Sequence, residues 1–142
     1  MKSFGVVSAL VVGLAVTTLY ASPNAASAVM FSNLSAGQTL GPGESVSSDD
    51  GSFTLLYQDD GNLVLYSGAG ALWSTGTVGT EPGFASMQGD GNFVVYDASG
   101  NAVWASNTFG DGNWLAVQND GNVVIYDAGG NALWATGTSP TH

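Results

Sequence analysis

Five residue types recur at one spacing three times along the chain. They are a glutamine, an aspartate two positions on, then an asparagine, a valine and a tyrosine, each two further on. The copies are Gln58, Asp60, Asn62, Val64 and Tyr66; Gln88, Asp90, Asn92, Val94 and Tyr96; and Gln118, Asp120, Asn122, Val124 and Tyr126, so the period is 30 residues. The amides of Gln and Asn both donate and accept hydrogen bonds, an ionised Asp only accepts, and a Tyr hydroxyl does both. Mixed donors and acceptors beside a small apolar contact suit a neutral polyhydroxy ligand, a sugar. A phosphate would need Arg, Lys or a helix N-terminus instead.

The elements that position these groups follow from the turn inside each copy. Asp60-Gly61 between two apolar runs is a hairpin signal. A two-residue loop would pair Gln58 with Leu63 and put Gln58 on the face opposite Val64 and Tyr66. A three-residue loop, Asp59-Asp60-Gly61, pairs Gln58 with Asn62 and places a left-handed residue at Gly61. Strand neighbours alternate faces, so in that register Gln58, Asn62, Val64 and Tyr66 share one face, with Asp60 at the turn leaning over it. The other face carries Phe53, Leu55, Tyr57, Leu63 and Leu65 and is apolar. Asp, Gly and Asn are common in turns, and Val and Tyr in strands, so a three-fold hairpin protein would repeat them for folding alone. Folding alone does not require Gln before the turn. Nor does it explain why Gln and Tyr recur while positions 59, 89 and 119 read Asp, Gly, Asn and positions 63, 93 and 123 read Leu, Phe, Val. A fixed period of this size marks a repeat architecture whose units bury their apolar faces against one another.

The pattern resembles the Q-x-D-x-N-x-V-x-Y signature of the bulb-type (monocot, snowdrop-like) mannose-binding lectin family, and the resemblance covers roughly residues 31–138. It implies an all-β fold, the β-prism II: three four-stranded antiparallel sheets around a pseudo-threefold axis, each with a shallow mannose pocket. By that resemblance Gln58, Asp60, Asn62 and Tyr66 hydrogen-bond mannose hydroxyls and Val64 touches ring carbons. The second and third sets of five play the same roles. The plant members typically carry one disulfide. This chain has no cysteine, so a bacterial or fungal source, or a cysteine-free variant, fits better.

The rest of the chain reads in order. Lys2, an apolar stretch over 6–19 and Ala26-Ser27-Ala28 form a signal peptide, residues 1–28, with cleavage expected before Val29 and a lectin domain over 29–142. The apolar run is short for a membrane span, so no membrane insertion is expected. Lys2 is the only Lys or Arg, against 11 acidic residues, and a chain without cations argues against nucleic acid or an anionic membrane as partner. Residues 31–48, with Leu34, Leu40 and Val46 between Gly and Pro turns, are assigned, as the resemblance implies, as the strand that completes the sheet of the last repeat. The Asp49-Asp50-Gly51 stretch after it reads as a loop rather than a metal site.

A second hairpin follows each motif and ends in Trp73, Trp104 or Trp134. One Trp per repeat is read as the central core where the sheets meet, sugar-stacking platforms being the alternative. Trp114 and Phe84 fall on the motif face, where Thr54 stands in the first copy. They would either widen the second and third pockets or make a contact between chains. The C-terminal residues 132–138 are the segment that a homodimer formed by strand exchange would trade, as the resemblance implies.

An enzyme is not expected. The single histidine is His142, the last residue, and there is no Cys, so a Ser-His-Asp or Cys-His arrangement lacks its parts. The acids lie mostly on turns, where none is held in the pKa-raising pocket that a glycosidase needs. Asp59-Asp60-Gly61 only faintly resembles a calcium loop, since apolar strand residues follow where ligands should be. No cofactor and no metal are expected. The chain is read as a secreted lectin whose partners are mannose-containing glycans or glycoproteins. The alternative is a lectin-like scaffold that recognises protein in a toxin, bacteriocin or adhesion role.

Overall fold

The computed structural model describes residues 32–139, which form twelve strands and no helix. The signal peptide read at 1–28 and the terminal His142 lie outside the described residues. The strands are β1 (Asn33–Leu34), β2 (Thr39–Leu40), β3 (Ser45–Ser47), β4 (Thr54–Tyr57), β5 (Leu63–Ser67), β6 (Gly70–Ser74), β7 (Pro82–Met87), β8 (Phe93–Asp97), β9 (Ala102–Ala105), β10 (Trp114–Val117), β11 (Val123–Tyr126) and β12 (Ala132–Ala135). They make three four-stranded antiparallel sheets, ordered β3-β4-β5-β6, β2-β7-β8-β9 and β1-β10-β11-β12. The arrangement matches the β-prism II expected from the resemblance.

The three-residue register holds. Tyr57 pairs with Leu63, the Gln58 N–H donates to the Asn62 carbonyl at 2.9 Å, and the Gly61 N–H closes the turn on the Gln58 carbonyl at 3.1 Å. The second and third copies repeat this, and Gly61, Gly91 and Gly121 have φ of 88°, 90° and 91°. The apolar faces of the three sheets meet inside. Leu55, Tyr57, Leu63, Leu65, Phe93, Val95, Leu115 and Ile125 are all at or below 1 % exposure. Trp73, Trp104 and Trp134 sit where the sheets converge, edge to face, with ring centroids 5.5–5.6 Å apart. They are part-buried and pack against the core from its centre, so the core reading of these rings stands.

One assignment is corrected. Residues 31–48 do not form one strand of the last sheet. Only β1 joins β10 there; β2 pairs with β7 and β3 with β4, so the segment adds one edge strand to each sheet. The cause is local. Gly37 (φ 92°) and Gly43 (φ 85°) turn the chain between pieces too short to leave their own sheet edge. Leu34, Leu40 and Val46 are the one buried anchor of each piece.

Each motif turn is clasped by the connector that follows its repeat. The Thr77, Thr108 and Thr138 hydroxyls donate to the carbonyls of Gly61, Gly91 and Gly121 at 2.6, 2.7 and 2.5 Å. The fit leaves different room at each turn. A Cβ on Gly91 would lie 2.3 Å from the Gly110 carbonyl oxygen and 2.5 Å from Asn113 Nδ2, whereas on Gly121 the nearest atom is the Phe53 ring at 3.0 Å. Both positions carry the same left-handed penalty, but at Gly91 backbone must move. Gly91→Ala is therefore expected to destabilise by about 2–3 kcal/mol and Gly121→Ala by about 1–2 kcal/mol. Paired thermal melts check the order, and equal losses would sink the steric argument.

Three hydrogen-bonded polar clusters

On the motif face of each sheet the five recurring residues come together as the register requires. The Tyr66, Tyr96 and Tyr126 hydroxyls donate to the side-chain carbonyls of Gln58, Gln88 and Gln118. Each glutamine amide then donates to both oxygens of its aspartate: Gln58 to Asp60 at 3.0–3.1 Å, Gln88 to Asp90 at 3.1–3.2 Å, and Gln118 to Asp120 at 3.1 Å. The aspartate Oδ1 also accepts the backbone N–H of Asn62, Asn92 or Asn122, at 2.9 Å in every copy. The relay fixes each side chain's orientation. The glutamine carbonyl is occupied, while the carboxylate and the tyrosine oxygen retain lone pairs that face solvent.

The asparagines and valines are more recessed than the pattern alone conveys. Val64, Val94 and Val124 are 3–4 % exposed, and Asn62 and Asn92 are 8 %. Each asparagine carbonyl is engaged by the connector. Asn62 Oδ1 accepts Thr75 Oγ1 and the Thr77 N–H, both at 3.2 Å. Asn92 Oδ1 accepts Ser106 Oγ and the N–H groups of Asn107 and Thr108. Asn122 Oδ1 accepts Thr136 Oγ1 and the N–H groups of Gly137 and Thr138. With the carbonyl tied down, the Nδ2 amide is the end of the side chain left for other partners. Thr75, Ser106 and Thr136 are thus positioning residues that motif reasoning passed over. Their signal is the hydroxyl-x-Thr triplet that recurs once per repeat.

A bulge aims each tyrosine. The register of β5 against β6, β8 against β9 and β11 against β12 shifts just before Tyr66, Tyr96 and Tyr126. Trp73, Trp104 and Trp134 therefore face Leu65, Val95 and Ile125 on the core side, while the tyrosines face Ala71, Ala102 and Ala132. A bulge inserts the extra residue that lets both requirements be met. The three clusters are not identical. Tyr66 lies opposite Thr54 on the neighbouring strand, Tyr96 opposite Phe84, and Tyr126 opposite Trp114. Beside Val64, Val94 and Val124 stand Leu56, Ser86 and Ala116.

Electrostatically the surface is a set of well-solvated carboxylates. The Asn62 backbone N–H, with the Gln58 amide second, holds Asp60 below the usual aspartate value of 3.8. Asp97 and Asp127 are lowered first by the backbone N–H groups of Asn101 and Asn131, and Asp50 by that of Ser52. Lowered folded-state values mean that the unfolded chain binds protons first on acidification. Their stabilisation is complete above about pH 4 and is lost as pH falls through the folded values. The melting temperature is accordingly expected to be flat from pH 7 to about 4.5 and to fall below about 4. Asp97→Asn, which keeps the acceptor for the Asn101 N–H, should show a shallower fall. An acid slope unchanged in that variant would remove Asp97 from the account.

Among the described residues no group of three His, Cys, Asp or Glu side chains is placed to hold a metal ion, and no helix is long and apolar enough to cross a membrane. No protein-family model and no curated protein sequence matches the chain. Solved structures do. The Japanese Marasmius oreades lectin is 40 % identical, with a TM-score of 0.74 over 82 % of this chain and 100 % of that one. A monomeric monocot mannose-binding lectin from Gastrodia elata is 44 % identical, with a TM-score of 0.71 over 77 % and 99 %. The mannose-specific agglutinin from snowdrop (Galanthus nivalis) bulbs, solved with methyl-α-D-mannoside, is 44 % identical, with a TM-score of 0.63 over 78 % and 99 %.

Proposed function

Because the chain belongs to the family of monocot mannose-binding lectins, we propose that it is a secreted lectin that binds mannose and mannose-rich glycans through three pockets. The pockets are Gln58, Asp60, Asn62, Val64 and Tyr66, and their counterparts at 88–96 and 118–126. The observation that carries this reading is the threefold recurrence of one hydrogen-bonded cluster, tyrosine to glutamine to aspartate, beside a tethered asparagine and a recessed valine. Such a cluster offers acceptors at Asp and at the Tyr oxygen, whose proton is given to Gln, and a donor at the Asn amide, over a small apolar floor. A hexose meets it with hydroxyls that both donate and accept, and a group left unpaired is what such a site rejects. The lectin neighbours support binding without turnover.

The test is a two-dimensional NMR titration of the protein with methyl-α-mannoside, the galactoside serving as control. Shifts at Tyr66, Tyr96 and Tyr126 and at the Gln and Asn side-chain amides, with mannoside alone, are expected at concentrations on the order of millimolar. A folded protein silent at on the order of tens of millimolar would make the motifs scaffold. The protein-recognising role, as toxin, bacteriocin or adhesion module, would then take precedence. Secretion rests on residues 1–28 acting as a signal peptide. The mass of the protein recovered from culture medium should begin at Val29, and retention of Met1 would end that part of the reading. A homodimer would trade residues 132–138. β12 closes its sheet from the edge, and the same bonds form when the strand comes from a second copy. Sedimentation decides between one chain and two.

A further inference from the structure

The three clusters share their five motif residues and differ most at the residue opposite the tyrosine. Phe84 lies tilted against Tyr96, with ring centroids 5.0 Å apart and planes at 33°, and Trp114 stacks on Tyr126 at 5.0 Å and 29°. In the first cluster the same place holds Thr54, whose hydroxyl is hydrogen-bonded to that of Ser47 at 2.9 Å. On its other flank each tyrosine faces only an alanine, so the aromatic surface extends to one side, toward the first strand of the sheet. Phe84 is 41 % exposed and Trp114 is part-buried. Neither belongs to the core, which Ala85 and Leu115 reach from the opposite face of the same strands. As cross-strand partners of the tyrosines they add at most about 1 kcal/mol each to the sheet, and core burial does not account for rings of this size on a polar face.

Resting on the sugar-binding reading above, we infer that the second and third pockets are extended sites, in which Phe84 and Trp114 carry a second hexose of an α-linked mannose oligosaccharide. The first pocket takes a single residue. The tyrosine whose hydroxyl is bonded into the pocket is also the ring on which the platform stacks, so shelf and pocket are one continuous surface. A hexopyranose presents a face composed largely of C–H groups, and a flat aromatic ring is the surface that shields it while leaving the ring's hydroxyls in water. A threonine with its hydroxyl already bonded to Ser47 offers no such shelf. Covering roughly 50 Å² of apolar ring face corresponds to about five- to tenfold in affinity.

The experiment titrates one protein with methyl-α-mannoside and with an α-linked mannobiose, reading each site separately from its own tyrosine. Sites two and three are expected to prefer the disaccharide by about five- to tenfold, and site one by no more than about twofold. Phe84→Thr and Trp114→Thr should each bring the ratio at their own site down to that of site one, with the untouched sites as internal controls. Thr54→Trp should raise the ratio at site one, and this gain does not depend on the other variants folding. Equal ratios at all three sites, or a preference that survives the threonine variants, would overturn the inference and leave the sugar reading intact. It is equally overturned if those variants abolish self-association in sedimentation without changing the ratios, for then the rings are a contact between chains. If methyl-α-mannoside moves none of the three tyrosines, the sugar reading itself fails and takes this one with it.

Discussion

Asp60→Asn, Asp90→Asn and Asp120→Asn combined in one chain are expected to weaken methyl-α-mannoside binding by about 10- to 150-fold at every site, the range for losing a hydrogen bond to a charged group. Asparagine keeps an Oδ1 acceptor for the backbone N–H that closes each turn, now made by the aspartate at 2.9 Å. The hairpins should therefore survive, and the melting temperature should stay within about 3 °C. What changes is the second oxygen. Each aspartate receives the glutamine amide on both oxygens. An amide in place of that second oxygen sets donor against donor. The glutamine must turn, and the bond from the tyrosine hydroxyl to its carbonyl goes with it. One substitution thus disturbs acceptor, donor and tyrosine together.

The single variants sharpen this result. Asp60→Asn alone should silence the response of Tyr66 and leave Tyr96 and Tyr126 responsive, because the three relays share no member. On a glycan that engages several pockets at once, avidity adds about 10²–10⁴-fold when the spacing fits. Losing one site should therefore weaken agglutination far more than it weakens monosaccharide binding per remaining site. A triple variant that loses methyl-α-mannoside but still binds its cellular target would show that the working surface lies elsewhere, and the protein-recognising role would replace the lectin role.

The parts of this site that were legible in the sequence are those governed by short-range geometry. A three-residue turn with glycine at its end places Gln58 beside Asn62, and alternation then fixes which side chains share a face. The same counting put Phe84 and Trp114 on the motif face. The same hairpin register carries them opposite Tyr96 and Tyr126; the side-chain rotamers that bring ring against ring are not written in the spacing. The opening segment, residues 32–48, is where the structure departs from the sequence reading. Strands of two or three residues carry no alternation to read, and which sheet each one joins is decided by non-local edges. The connectors repeat a hydroxyl-x-Thr triplet, but hydroxyl residues are ordinary in loops and the triplet alone names no partner. Their hold on the Asn62, Asn92 and Asn122 carbonyls appears only when the chain folds back over its own turn.

Removing one ring of the tryptophan triad should have the largest effect on stability. Trp104 makes edge-to-face contacts with Trp73 at 5.6 Å and Trp134 at 5.5 Å, and it alone of the three also meets a buried phenylalanine ring, Phe93 at 6.1 Å. The counterparts of Phe93 in the other repeats are Leu63 and Val123. Trp104→Ala is therefore expected to cost about 3–5 kcal/mol, a large part of a small domain's stability, and to lower the melting temperature by roughly 10–20 °C. Trp134→Ala, with no aromatic partner beyond the triad itself, should cost less. Trp114→Ala, on the outer face, should cost least, even though it removes the same kind of ring. Because the triad is where the three sheets touch, its loss loosens them relative to one another without altering any motif residue. The tyrosines of all three clusters should then shift together in the unliganded spectrum. A variant that disturbed only Tyr96, the tyrosine of its own repeat, would show that the rings pack within repeats rather than joining them.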